Sequence, residues 1–191
     1  GVGLDSPASA LNLLQALAAA SYEGGTLPAK GDDLINRLAA GPTNDLTDRK
    51  DRPGGIKYPV SNYNTFFASL PMTIQARVIE RWGPPADDPF VVGDDFVLAG
   101  FMQGNVMIGL QPARGYNIDP KSSYHDPDLV PPHGYLAFYG WLRQVFQVQA
   151  VIHMGKHGNL EWLPGKSIAL SEACFPEAIL GPLPHLYPFI V

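Results

Sequence analysis

Apolar residues follow two rhythms along this chain, a helical one up to Trp82 and a run-like one from Phe96 onward. Ser6-Pro7 before Ala8 to Ala20 predicts a first helix, with a hydroxyl N-cap and proline in the opening turn. Leu11, Leu14, Leu17 and Ala18 share one of its faces, and Gly24-Gly25 ends it. Asp32 to Ala40 predicts a second helix, with Leu34, Ile35 and Leu38 inward and Gly41-Pro42 as its stop. Residues 41–58 are polar and rich in Gly and Pro. The cluster Asp48-Arg49-Lys50-Asp51-Arg52 makes them read as a solvated loop, because mixed-sign charge runs usually face water. Ser61 to Ser69 and Met72 to Trp82 predict two helices broken at Pro71, with Ile74, Val78 and Trp82 at core spacing.

Gly83-Pro84-Pro85 closes this part, and residues 83–90 form the best internal boundary. It divides a mainly helical segment, 1–85, from an α/β segment, 86–191. Phe96 to Ala99 and Asn105 to Leu110 predict two strands joined as a hairpin near Gly104-Asn105. The second strand is apolar throughout, which suits burial on both faces. Pro132 to Phe146 predicts a helix with Leu136, Tyr139, Leu142, Val145 and Phe146 on one side. A strand at 149–153 follows, so a right-handed crossover would set the 106–111 and 149–153 strands parallel, with the polar loops after them at one edge. Pro176 to Leu180 reads as a short helix and 186–191 as a further strand. The expected class is α/β: a helical leading part, then a mixed sheet with a hairpin and a strand-helix-strand unit.

The stretch Gln149 to Ser171, QAVIHMGKHGNLEWLPGKSIALS, is the chemical centre of this pattern. An apolar run, Ala150-Val151-Ile152, ends at once in His153, Lys156, His157, Asn159 and Glu161. Ligands in α/β domains bind beyond the carboxyl ends of strands, so this loop reads as a site. His153, His157 and Glu161 are spaced four apart and would share one face of a continuous helix, as metal ligands can. Gly155 and Gly158 interrupt that helix, and the H-E-x-x-H zinc pattern is absent. Pro164-Gly165-Lys166-Ser167 resembles the end of a phosphate-binding loop, but Leu160 stands where the first glycine belongs, so no ATP site is expected here. Cys174 has no histidine beside it in sequence and reads as a buried structural thiol.

Composition narrows the classes further. A formal charge of -5 without a long basic run argues against nucleic acid as the main partner. A single cysteine excludes an internal disulfide and fits a reducing, cytoplasmic setting. No apolar stretch approaches the roughly 20 residues that span a bilayer, and no secretory leader is visible. Both ends read as cut, so a fragment of a larger multidomain chain is expected.

Several words in the chain resemble a known family. HMGKHGNLEWLPGK, EACFPEAILGPLPHLYPFIV, QPARGYNIDP (Gln111 to Pro120) and YHDPDLVPPHGYLAFYGWL (Tyr124 to Leu142) are similar to the large subunit of aerobic cobaltochelatases, the CobN type. The likeness is dense from about Val106 to Val191 and recurs at GVGLDSPASA. The related magnesium chelatase large subunits carry a THGxLEFMPGK-like version of the central word. Trp162-Leu163 stands where they typically have Phe-Met, which favours cobalt and a corrin-type ring.

The resemblance implies ATP-dependent insertion of Co²⁺ into hydrogenobyrinic acid a,c-diamide, on the aerobic route to cobalamin. Co²⁺ is then a substrate; ATP and Mg²⁺ are used by separate AAA+ ATPase subunits, and the fragment alone is expected to be inactive. The alternatives are insertion of Mg²⁺ into protoporphyrin IX, a tetrapyrrole-binding module without chemistry, or a metal-dependent hydrolase. Metal insertion requires the ring nitrogens to lose protons. Glu161, flanked by Leu160 and Trp162, is the expected base, and His157 the second proton carrier. His153, His157 and Glu161 are the candidate transient metal ligands. Arg114, Lys156 and Lys166 are candidates to pair with peripheral carboxylates of the ring, and Tyr116 and Trp162 to cover its face. His125 and His133 are secondary candidates, and His185 reads as structural.

Overall fold

The computed structural model describes residues 5–116, 126, 128–155, 159–165 and 171–188. Two helices open the chain, α1 (Ser6–Ala19) and α2 (Gly31–Ala40). The cap of α1 is Asp5, not Ser6: its carboxylate accepts the Ala8 N–H at 2.9 Å. A full negative charge suits the positive end of a helix better than a hydroxyl does. Leu11, Leu14 and Leu34 form a small core, which Phe101, Val106 and Ile108 complete. Ile35, expected inward, is exposed.

The region expected to be loop holds a strand. β1 (Ile56–Pro59) pairs antiparallel with β3 (Asp95–Leu98), which also pairs with β2 (Val91–Val92). The charge cluster is likewise not wholly solvated. Arg49 is 1% exposed, its guanidinium lies 3.6 Å over the Phe90 ring, and it donates to the carbonyls of Thr43 and Val97. A guanidinium can be buried when backbone oxygens and a ring face replace water, and this one meets all three.

Helices α3 (Val60–Ala68) and α4 (Met72–Trp82) come where the periodicity puts them, with Ile74 and Val78 fully buried. Then β4 (Gly100–Gln103) and β5 (Val106–Gly109) make the expected hairpin, shifted so that Phe96 to Leu98 belong to β3. Gly104 turns it at φ +58°, and a Cβ there would stand 2.1 Å from the Glu23 carbonyl oxygen, so only glycine fits. β5 is not buried on both faces; it covers the small core with one face and is part-exposed on the other.

Helix α5 (His133–Gln144) is the axis of the larger core, with residues 133–142 all buried. Tyr63 and Phe66 from before residue 85 pack with Phe96, Tyr135, Leu136, Tyr139 and Phe175 from after it. At Gly140 an added Cβ would meet the Phe66 ring at 2.7 Å, so glycine lets α3 approach. After α5 come β6 (Val151–Ile152), a 3-10 turn (Leu160–Trp162), α6 (Phe175–Leu180) and β7 (His185–Leu186).

The α/β class holds, but among the described residues the strands are shared among three small sheets, not one mixed sheet. The crossover pairing is corrected too: among these residues β6 pairs in parallel with β7, and β5 pairs with β4. The strand expected at 186–191 is short, and residues 189–191 lie outside the described residues.

Candidate functional site

Although β5 and β6 do not pair, the polar loops that follow them do meet. The first runs from Leu110 to Tyr116, and the second is described at residues 153–155 and 159–165. Both dock on the face of α5 that carries Tyr135 and Tyr139, neighbours at i and i+4 with rings 5.3 Å apart. Gln111 donates from Nε2 to the Tyr139 hydroxyl at 2.8 Å and accepts the Asn159 N–H on Oε1 at 3.2 Å. Tyr135 donates to Asn159 Oδ1 at 2.7 Å, and Asn159 Nδ2 donates to the Pro112 carbonyl at 3.0 Å. The Asn44 amide holds the Gln111 carbonyl at 2.8 Å from a third loop. A shallow cleft of about 610 Å³, lined by Thr43 to Thr47, Leu110 and Tyr116, opens beside the first loop.

His153 closes the inner end of this cluster. Its Nε2 lies 3.1 Å from the Tyr139 hydroxyl and its Nδ1 lies 2.9 Å from His185 Nε2. The Gln111 amide donates to the same Tyr139 hydroxyl, so Gln111, Tyr139, His153 and His185 form one hydrogen-bonded chain. Both ring nitrogens of His153 are therefore engaged by protein groups at the end of the strand. Burial, and secondarily the neighbouring His185, push its pKa down to about 4.

That shift has a sign. The unfolded chain takes up a proton near pH 6.5 while folded His153 resists it until about 4. Stability is complete above the unfolded value and falls as the pH drops through this window, by up to about 3 kcal/mol. Burial moves His133 in the same direction. Asp88, raised by burial, takes up its proton more readily when folded and offsets part of the loss at the acid end. Urea midpoints should therefore fall from pH 7 to 5, and less so in His153→Gln; a flat profile would contradict the arrangement.

The remaining expected residues divide sharply. Arg114 is 5% exposed and donates to the carbonyls of Asp126 and Trp162, so it braces the loops around it. Tyr116 is buried as well. Its hydroxyl donates to Asp88, its ring packs edge-on against Trp82 and Phe90, and its φ is +58°. Asp88 also accepts the backbone N–H groups of Phe90 and Gly134, so a buried carboxylate holds this strained turn against the start of α5. Tyr116 thus faces inward, whereas Trp162 on the 3-10 turn is 39% exposed.

Glu161 stands at the centre of that turn. Lys156, His157, Lys166 and His125 lie outside the described residues. His133 donates from Nε2 to the Gly83 carbonyl at 2.9 Å and accepts from Tyr63 at 2.7 Å, a structural role. Among the described residues no group of three or more His, Cys, Asp or Glu side chains is gathered as a metal site. Cys174 is buried and donates to the Gly165 carbonyl at 2.7 Å.

Sequence reasoning missed Gln111, Tyr135, Asn159 and Asp88. The signal for one pair was present: two tyrosines four apart on a buried helix must each find a hydroxyl partner.

Comparison with known proteins agrees with these loops' wording. The chain is 59% identical over 191 residues to the aerobic cobaltochelatase subunit CobN of Sinorhizobium sp, covering 100% of this chain and 15% of that protein. It is 33% identical over 189 residues to a magnesium-chelatase subunit of Chlorobaculum parvum, covering 98% of this chain and 14% of that one. The solved catalytic subunit of cobaltochelatase from Mycobacterium tuberculosis superposes with a TM-score of 0.84 at 42% identity, over 99% of this chain and 16% of that chain. The chain thus spans about 15% of the length of the curated relatives it matches first. The family described as CobN/Magnesium Chelatase matches residues 1–191 throughout, and the chain belongs to that family.

Proposed function

We propose that this chain is part of the large subunit of an ATP-dependent cobaltochelatase and helps insert Co²⁺ into hydrogenobyrinic acid a,c-diamide. The observation that carries the reading is the 59% identity to a cobaltochelatase subunit across the whole chain, against 33% to a magnesium-chelatase subunit. The meeting of two polar loops around the Leu160–Trp162 turn supports it.

In this reading Co²⁺ displaces the one ionisable N–H proton of the corrin, which holds the ion as a monoanion. Glu161 accepts that proton and His157 carries it onward. Trp162 lies against the ring face, and Lys156 and Lys166 pair with peripheral carboxylates. Glu161 and His157 are also the groups able to hold the ion transiently. ATP is hydrolysed by AAA+ partner subunits, consistent with the failed phosphate-loop spacing at Pro164 to Ser167. No helix among the described residues is long and apolar enough to cross a membrane, and a cytoplasmic setting goes with the proposal.

The test is titration of the full-length subunit with the corrin precursor and with protoporphyrin IX. At least tenfold tighter binding of the corrin precursor is expected. Near-equal affinities would remove the case for cobalt, and tighter protoporphyrin binding would favour the magnesium reaction.

A further inference from the structure

Asn159 occupies the N-cap position of the Leu160–Trp162 turn, yet its side chain makes no capping bond there. Asparagine is among the best capping residues, so a local preference has been overridden. Its carboxamide is turned to α5 and the first loop instead, accepting from Tyr135 at 2.7 Å and donating to the Pro112 carbonyl at 3.0 Å. Its backbone N–H is held by Gln111 Oε1 at 3.2 Å. Gln111 Nε2 approaches the Tyr135 hydroxyl at 3.4 Å, so Gln111, Asn159 and Tyr135 close a ring of hydrogen bonds. Tyr135 is fully buried on a helix that is itself buried along ten residues, the stiffest element available. The ring thus fixes the backbone two residues before Glu161 to the molecular axis.

We propose that Gln111, Tyr135 and Asn159 are positioning residues that hold the Glu161 turn at a set distance from the first loop for metal insertion. This rests on the function proposed above. The three side chains act through the turn and do not touch the ring. Hydrogen bonds closed into a cycle polarise one another, so removing one member weakens those that remain. Their removal should loosen the placement of Glu161, which affects turnover, more than the binding of the tetrapyrrole.

The experiment compares Tyr135→Phe, Asn159→Ala and the double variant in the full-length subunit with its ATPase partners. Each single variant should lower kcat about tenfold with the tetrapyrrole KM within twofold. The double variant should be no slower than the slower single one, because both break the same ring. Should Asn159→Ala not yield soluble protein, Tyr135→Phe decides, since it deletes one oxygen. A kcat within twofold of the unmodified subunit, a change carried by KM, or multiplicative losses in the double variant would overturn the proposal. Hydrogen exchange over residues 159–165 separates this from the function itself. Faster exchange there in Tyr135→Phe supports the ring even if the unmodified subunit inserts no cobalt, and unchanged exchange overturns it.

Discussion

Glu161→Gln in the full-length subunit should lower ATP-dependent cobalt insertion by about 100-fold or more, the usual worth of a positioned proton acceptor. The substitution keeps the shape of the side chain and removes its basicity. Tetrapyrrole affinity should change by no more than about threefold, because the proton-accepting contact matters as the ring nitrogens ionise and not before. ATP hydrolysis by the partners should persist, uncoupled from insertion. The measurement is cobalt incorporation followed by the absorbance of the metallated ring, beside a binding titration of the same variant. A tetrapyrrole-binding module without chemistry predicts unchanged turnover, so full activity in Glu161→Gln would end the reading of this turn as catalytic. A hydrolase built on the same residues predicts a tightly held stoichiometric metal, which elemental analysis of the purified protein would reveal.

Arg49→Met should destabilise the chain by about 3 kcal/mol. The thioether fills much of the same volume but leaves the carbonyls of Thr43 and Val97 without their donor. It also removes the charge that faces Asp88. Burial lowers the Arg49 pKa to about 10, while the Asp88 carboxylate draws it back up, so the guanidinium stays charged at neutral pH. For a chain of 191 residues this loss corresponds to a Tm lower by about 10 °C. Lys50→Ala, next in sequence and exposed, is the control and should move stability by no more than about 0.5 kcal/mol. Equal effects of the two substitutions would show that the burial of Arg49 carries no energetic weight.

Arg49 and Lys50 also mark where reading the chain residue by residue stops working. They are neighbours in one charged run, and nothing local distinguishes them. Only the arrival of Phe90 and the β3 carbonyl of Val97 makes one of them interior. Arg114 and Tyr116 repeat the lesson at the site. Their residue types suit the rim of an anionic ring, but the fold gives both inward partners from distant segments, Trp162 and Asp88. Conversely, Asn159 stood in the polar stretch without a role of its own, and Gln111 only opened the other loop. Their hydrogen bonds reach partners 24 to 48 positions away.

What the sequence determined by itself is what local physics controls. Apolar spacing placed all six helices described, with ends within two residues, because a helix buries one face and its bonds are local. The turn at Gly104 and the helix break before Met72 followed from glycine and proline geometry. The wording of several stretches, dense from about Val106 onward, signalled the family that matches the whole chain. Tertiary structure alone decided which strands pair, which charges are buried, and how the two loops come together. Those outcomes depend on partners far apart in the chain. β5 was taken by its hairpin neighbour and β6 by β7, and the loops were joined by side chains on α5, not by a shared sheet.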